Sequence, residues 1–253
     1  MSLWSRERVE VALSPRAITL RRRARGVRGR ELHRYRFEVP ATDQALDWRP
    51  ALAMLKSRIE TLAWRQADLH VVLAGRLARY VVMPWTANLS ENDAGEYARH
   101  RFQAVYGSHA EAWTVCLARA HPRRPRIAAA TERALVEELK AHAVAFDLRL
   151  CSLRPLLSAL VDELPVQEGW VALAEPGSVQ VACVDAGDCI DIRGARCDDD
   201  AAPLLLSLLR QSALATDRDT DNAHVRLFAA NAPDCSLLHE HGWRVVTAAS
   251  DFT

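Results

Sequence analysis

The stretch CVDAGDCIDIRGARCDDD, Cys183 to Asp200, holds three cysteines and six aspartates and is the densest set of metal-capable side chains in the chain. Zinc sites draw their ligands from closely spaced pairs in loops. Cys183 and Cys189 are instead separated by the tight-turn signal Ala186-Gly187-Asp188, and neither has a CxxC partner. They read as strand residues, with Asp185 and Asp188 shaping the turn between them. HEHG, His239 to Gly242, lies near Cys235, but histidines at i and i+2 do not share a helix face. No metal site is expected. Nucleophile and phosphate motifs are also missing: the chain has no GxSxG, no Walker-type GxxxxGK[ST] and no HExxH.

Two further stretches bear on phosphate chemistry. VEVALSPRAITLRRR, Val9 to Arg23, reads as two strands around the break Ser14-Pro15. Strand-turn-strand openings of nucleotide-binding folds carry glycines and small hydroxyls there, so that backbone N–H groups approach phosphate. This turn offers Ser14, no glycine, and a proline that removes a donor. Downstream, RRRARGVRGR carries Arg21, Arg22, Arg23, Arg25, Arg28 and Arg30. Such a run could meet an anionic membrane surface or an acidic partner. No aromatic residue is interleaved to stack bases, so nucleic acid is not the expected partner. Its GVRG has the glycine spacing of a KH loop, but it falls between predicted strands where a KH loop joins helices.

The elements around these residues follow from periodicity. Glu31 to Val39 is a third strand, and Asp47 and Pro50 open a helix with Leu52, Leu55, Ile59 and Leu62 on one face. LHVVL, Leu69 to Leu73, is a buried strand. Leu77 to Pro84 is another, and Ser90 starts a helix that runs towards Gly107. Trp113 to Arg119 and Arg126 to Ala130 form a hairpin. Thr131 caps a helix through Leu139, Leu148 to Leu150 is a short strand, and Leu153 to Leu160 is a helix. Beyond Pro165 come an antiparallel meander, Gly169 to Arg193, a helix at Pro203 to Leu214, and strands at Val225 to Phe228 and Trp243 to Val246. Three strands, then strands mixed with helices, then the same theme again, predict an α/β protein of two related lobes, 1–165 and 166–253.

Composition is that of an ordinary globular protein: 49% of the 253 residues are hydrophobic and 26% charged. The six scattered cysteines suit reduced thiols better than a disulfide framework. The start lacks a signal-peptide core, and no run approaches the length of a membrane span, so a soluble cytoplasmic protein is expected. The net charge of +1 hides an asymmetry: Met1 to Pro40 carries +7, and Val166 to Thr253 carries −8.

The stretches LHVVLAGRLARYVVMPW (Leu69 to Trp85), LSENDAGEYARHRFQAVYG (Leu89 to Gly107), LRLCSLRPLLSAL (Leu148 to Leu160) and GWVALAEPGSVQVACV (Gly169 to Val184) carry a resemblance. Together they resemble the actin-like PilM-like proteins of type IV pilus assembly and the cytoplasmic domain of GspL-like type II secretion proteins. The resemblance implies a two-lobed actin-like ATPase fold, related to ribonuclease-H-like folds, with a shortened second lobe. It departs where nucleotide would bind. The nucleotide-binding members read like Asp-x-Gly-Ser in the first hairpin, where this chain has Ala12-Leu13-Ser14-Pro15. The second phosphate hairpin is Ala174-Glu175-Pro176-Gly177, and the adenosine loop falls near Ala229-Ala230-Asn231, without its glycine pair.

The resemblance therefore implies a degenerate nucleotide cleft lined by Ser14, Pro15, Glu175, Pro176 and Ala230, with no cofactor, no metal and no catalytic residue. It further implies a pseudo-ATPase scaffold, peripheral to the bacterial inner membrane, that binds a short cytoplasmic segment of an inner-membrane assembly protein. One rival is an actin-like ATPase or phosphotransferase in which Glu10, Ser14, Glu175 and Asp185 position Mg²⁺ and phosphates. Another is a nucleic-acid-binding protein, with first-strand Glu10 the one acid well placed for a metal.

Overall fold

The computed structural model describes residues 6–24, 30–40, 47–86, 89–163, 168–197, 200–221, 223–229 and 233–248. The chain opens with β1 (Glu7–Leu13), β2 (Ala17–Arg23), β3 (Glu31–Glu38), α1 (Arg49–Leu62) and β4 (Ala67–Leu73). There follow β5 (Arg79–Met83), α2 (Glu91–Tyr106), β6 (Trp113–Leu117), β7 (Arg126–Glu132), α3 (Arg133–Ala145), β8 (Arg149–Pro155) and α4 (Leu156–Glu163). The last part is β9 (Glu168–Glu175), β10 (Gly177–Asp185), β11 (Asp188–Cys197), α5 (Ala201–Thr216), β12 (His224–Ala229), α6 (Ser236–Glu240) and β13 (Arg244–Ala248). Two compact units result, one of residues 1–77 and 132–156, the other of residues 78–131 and 157–251.

The first unit is a five-stranded sheet in the order β3-β2-β1-β4-β8. β1 and β2 form an antiparallel hairpin, whereas β1, β4 and β8 run parallel. Alternation on β1 sends Val9, Val11 and Leu13 to one face, level with Leu69, Val71 and Leu73 of β4. That face is fully buried under Leu52, Leu55 and Ile59 of α1 and Leu135 and Leu139 of α3. Each such side chain contributes about 1.5–3 kcal/mol by leaving water. The opposite face carries Glu10 and Arg21, directly paired across the strands and both almost completely buried.

The second unit repeats the topology. Its main sheet has the order β11-β10-β9-β12-β13, a meander of three antiparallel strands continued by two parallel ones. α5 lays Leu205, Leu208 and Leu209 on Val179, Val181 and Cys183. Trp170 and Trp243 pack edge to face at 5.1 Å, and the Trp170 indole donates to Ser212 Oγ at 3.1 Å. α5 is joined to β12 by Asp217 to Ala223 alone, so no subdomain is inserted there. The same unit holds a three-stranded sheet, β5-β7-β6, whose core with α2 centres on Phe102, Val81, Met83 and Ala128.

Element types and order agree with the sequence reading, and differences lie at boundaries. Thr131 does not cap α3. β7 runs on through Glu132, which takes the N-cap position without a side-chain bond to the helix. The Glu132 carboxylate instead accepts the buried Trp48 indole N–H at 2.7 Å. β8 extends to Pro155, because parallel pairing with β4 continues as far as Leu73 opposite Pro155, and this delays α4 by a turn. Asp47 serves α1 from outside: its carboxylate accepts the Arg49 N–H at 3.0 Å, while Trp48 occupies the N-cap. Ser90 caps α2 as expected, accepting the Asp93 N–H at 3.2 Å.

Candidate functional site

The β1–β2 turn leaves no backbone donor for a phosphate. Ser14 N–H donates to Ala17 O at 2.9 Å, and Pro15 has no N–H. The N–H groups of Arg16 and Ala17 donate to Ser14 Oγ at 3.3 and 2.9 Å, and the hydroxyl itself donates to Ala17 O at 3.0 Å. The one hydroxyl in the turn thus closes the turn on itself, as serine does in short side-chain-to-backbone motifs. In the other unit, Pro176 and Gly177 join β9 to β10. Gly177 has φ +83°, and the Pro-Gly order matches a type II turn. Glu175 stands at its entry, paired with Ser178 across the turn. Ala230 lies outside the described residues.

The carboxylates that an enzymatic reading would need are committed elsewhere. Glu10 meets Arg8 at 2.9 Å, Arg23 at 3.2 Å and Arg21 at 3.6 Å. Asp185, at the β10–β11 turn, accepts from Arg124 at 2.8 Å and also pairs with Arg218. The Arg124 hydrogen bond, with Arg218 adding its charge, holds the Asp185 carboxyl below the usual carboxylate range. Asp188 in the same turn pairs with Arg124 at 3.1 Å and His121 at 3.6 Å.

Among the described residues, no cluster of three or more His, Cys, Asp or Glu side chains is arranged to hold a metal. Cys183 and Cys189 sit on adjacent strands, as read from the sequence, and burial pushes their thiols up to about 11 and about 12, away from the thiolate a metal binds. His239 lies in the last turn of α6, and His241 follows the helix as its C-cap.

The arginine run is less available than its sequence suggests. Arg21 is almost fully buried and pairs with Glu31 at 2.8 Å, Arg22 donates to Glu7 at 2.6 Å, and Arg23 is tied to Glu10. Arg30 is exposed; Arg25 and Arg28 lie outside the described residues.

A groove of about 280 Å³ opens in the second unit, where the end of β5 and the start of α2 face the β6–β7 connection. Met83 forms its apolar floor, with Trp85 and Leu89, 47% and 41% exposed, at its lip. Its polar side holds His121, Arg124 and Arg126. Arg126 donates to Ala118 O at 2.6 Å and grips the exposed Glu91 with two nitrogens, at 2.8 and 3.1 Å. That arginine holds the Glu91 carboxyl below its ordinary value. An apolar slot of this kind can take one large side chain, with Arg126 and Glu91 already paired at its rim. The sequence reading gave these residues only as a strand end, a helix start and a polar hairpin. A tryptophan and a leucine outside any apolar period were the signal.

No family model matches the chain, and no curated protein matches it. Solved structures do. A Bacteroides thetaiotaomicron protein with an actin-like ATPase fold and unknown function superposes with TM-score 0.66 at 12% identity, over 95% of this chain and 91% of that one. The fold is actin-like. Both five-stranded sheets of this chain share the order of three antiparallel strands continued by two parallel ones. Two other matches are informative. The cytoplasmic domain of EpsL, an inner-membrane component of the Vibrio cholerae type II secretion system, gives TM-score 0.62 at 14% identity, covering 96% of this chain and 90% of that one. A chain of the PilM–PilN type IV pilus biogenesis complex gives 0.60 at 13% identity, with coverage of 96% and 90%. Among the described residues of this actin-like chain, no helix is long and apolar enough to cross a membrane.

Proposed function

We propose that the protein is a non-catalytic scaffold of a type IV pilus or type II secretion-like assembly platform. It works on the cytoplasmic side, peripheral to the inner membrane, and binds a short cytoplasmic segment of an inner-membrane partner. The observation that carries the non-catalytic half is the β1–β2 turn, in which Ser14 uses every N–H the turn has. The likeness of the fold to the EpsL domain and to the PilM–PilN complex supports the setting. The groove at Trp85 and Leu89 supports the peptide half, since it presents exposed apolar surface. Contact with anionic lipid headgroups, if the platform uses it, falls to Arg25, Arg28 and Arg30, because Arg21, Arg22 and Arg23 have carboxylate partners.

The test is affinity capture from a bacterial membrane extract, with the wild-type chain and a Trp85→Ala/Leu89→Ala variant as baits. Wild-type chain is expected to retain an inner-membrane pilus or secretion component that the variant releases. Capture without any such component, or capture that ignores the two substitutions, overturns the reading.

A further inference from the structure

Strand β3 is the outer edge of the first sheet. Its eight residues pair with β2 and, among the described residues, with no other strand. One row of backbone N–H and C=O groups therefore faces outward. Native proteins blunt such an edge with prolines, bulges, short strands or charge. β3 contains no proline, and its one irregularity lies near its start, where Leu32 is the extra residue between the partners of Arg22 and Arg23. Beyond that point, what guards it is charge.

That charge is unusual in its placement. Arg34 lies directly opposite Arg21, and like charges in directly opposed positions destabilise a sheet. Arg21 is neutralised, by Glu31 at 2.8 Å and Glu10 at 3.6 Å. Among the described residues no carboxylate pairs with Arg34, and the side chain is exposed. Its neighbour Arg36 is held by Glu38 at 3.1 Å. The edge thus offers one uncompensated guanidinium at mid-strand. On the other face, alternate residues form an aromatic ladder: His33 stacks on Tyr35, and Tyr35 on Phe37, each at 6.1 Å. Arg58 caps Phe37 at 4.3 Å. His33 is exposed, and Tyr35 and Phe37 are half-buried.

We propose that β3 is a docking edge for an extended acidic segment of another protein, which adds to the first sheet as a sixth strand. The two faces of the edge set its chemistry. Side chains of an added strand alternate between the faces. An Asp or Glu opposite Arg34 supplies the missing counter-charge, and the residues on either side of it must be apolar to lie along the His33–Tyr35–Phe37 ladder. Main-chain hydrogen bonds give the affinity, and the acidic-apolar alternation gives the register. A second copy of this chain fits poorly. Antiparallel self-pairing centred on Tyr35 sets Arg34 against Arg36, centred on Arg34 it sets Arg34 against itself, and centred on Arg36, where Arg34 meets Glu38, it sets Arg36 against itself.

The probe is a fluorescein-labelled nonapeptide of alternating Val and Glu, read by anisotropy at low salt. Its control is an isomer with the glutamates grouped at one end. The alternating peptide is expected to bind and the grouped isomer to bind at least about tenfold more weakly. Arg34→Glu is expected to weaken the alternating peptide by about tenfold and to transfer preference to a Val-Lys peptide. Because this substitution turns the Arg21–Arg34 repulsion into an opposite-charge pair, it should raise the melting temperature by about 1–3 °C, which separates lost binding from lost folding. The proposal is overturned by equal binding of the two isomers, by indifference to Arg34→Glu, or by failure of the alternating peptide to bind at all. It is equally overturned if sedimentation shows a dimer that Arg34→Glu dissociates, or if phosphatidylserine vesicles but no peptide engage the edge.

Discussion

Mg-ATP should leave the thermal stability of this protein unchanged, and the magnitude can be worked from the first hairpin. A ligand that binds only the folded state stabilises by about 2.7 kcal/mol at a hundredfold its dissociation constant. For a chain of this size that corresponds to a rise in melting temperature of about 5–11 °C. For Ser14 to serve a phosphate, its hydroxyl must leave three hydrogen bonds, to the Arg16 and Ala17 N–H groups and to Ala17 O. At about 1 kcal/mol each, that loss raises the dissociation constant by roughly a hundredfold, so a concentration that would give this shift at an unhindered site gives almost none here. Pro15 supplies no donor to this turn either. The assay is a melting curve with and without saturating Mg-ATP, run beside phosphate release. We expect no shift and no hydrolysis. Ser14→Ala should lower the melting temperature by a few degrees, equally with and without nucleotide, because it opens the turn. A clear upward shift with Mg-ATP that Ser14→Ala abolishes would refute the reasoning.

Other consequences concern stability in the second unit. Ala186 holds φ +48° beside Gly187 at +82°, the pattern of a type I′ hairpin turn that favours Asn-Gly. Ala186→Asn should therefore stabilise by about 1 kcal/mol, visible as a shifted urea midpoint at unchanged slope. Gly95 lies inside α2, and a Cβ there would meet open space. Gly95→Ala should add about 0.5–1 kcal/mol, and a fall in melting temperature would contradict the open helix face. The Asp185 carboxyl is depressed below its ordinary 3.8 by Arg124 and Arg218. Its folded-state value is therefore the lower one, so its contribution is present above that ordinary value and disappears as pH falls through the depressed one. Asp185→Asn should lower stability at pH 7 and flatten the acid limb of the stability profile below about pH 4; an unchanged limb would show the pair to be idle.

Local pattern carried much of this molecule. Period-two runs at Val9 to Leu13 and Val179 to Cys183, the helical spacing of Leu52, Leu55 and Ile59, and the Ser90 cap needed only their neighbours in the chain, because strand alternation, helix periodicity and capping are short-range effects. The resemblance to actin-like proteins rested on the order of those elements, and the repeated sheet order agrees with it. Partners distant in the chain were another matter. Thr131 has the right chemistry to cap α3, but Trp48, some eighty residues earlier, fixes Glu132 and so the helix start. Arg21, Arg22 and Arg23 read as free cations until strand pairing brings Glu31, Glu7 and Glu10 to them. The groove depends on β7 carrying Arg126 to Glu91, and the lone charge at Arg34 on which residue of β2 it faces. Sequence fixes which side chains alternate and where turns fall. Charge compensation depends on distances of 3–4 Å, and those exist only once non-local strands have been brought into register.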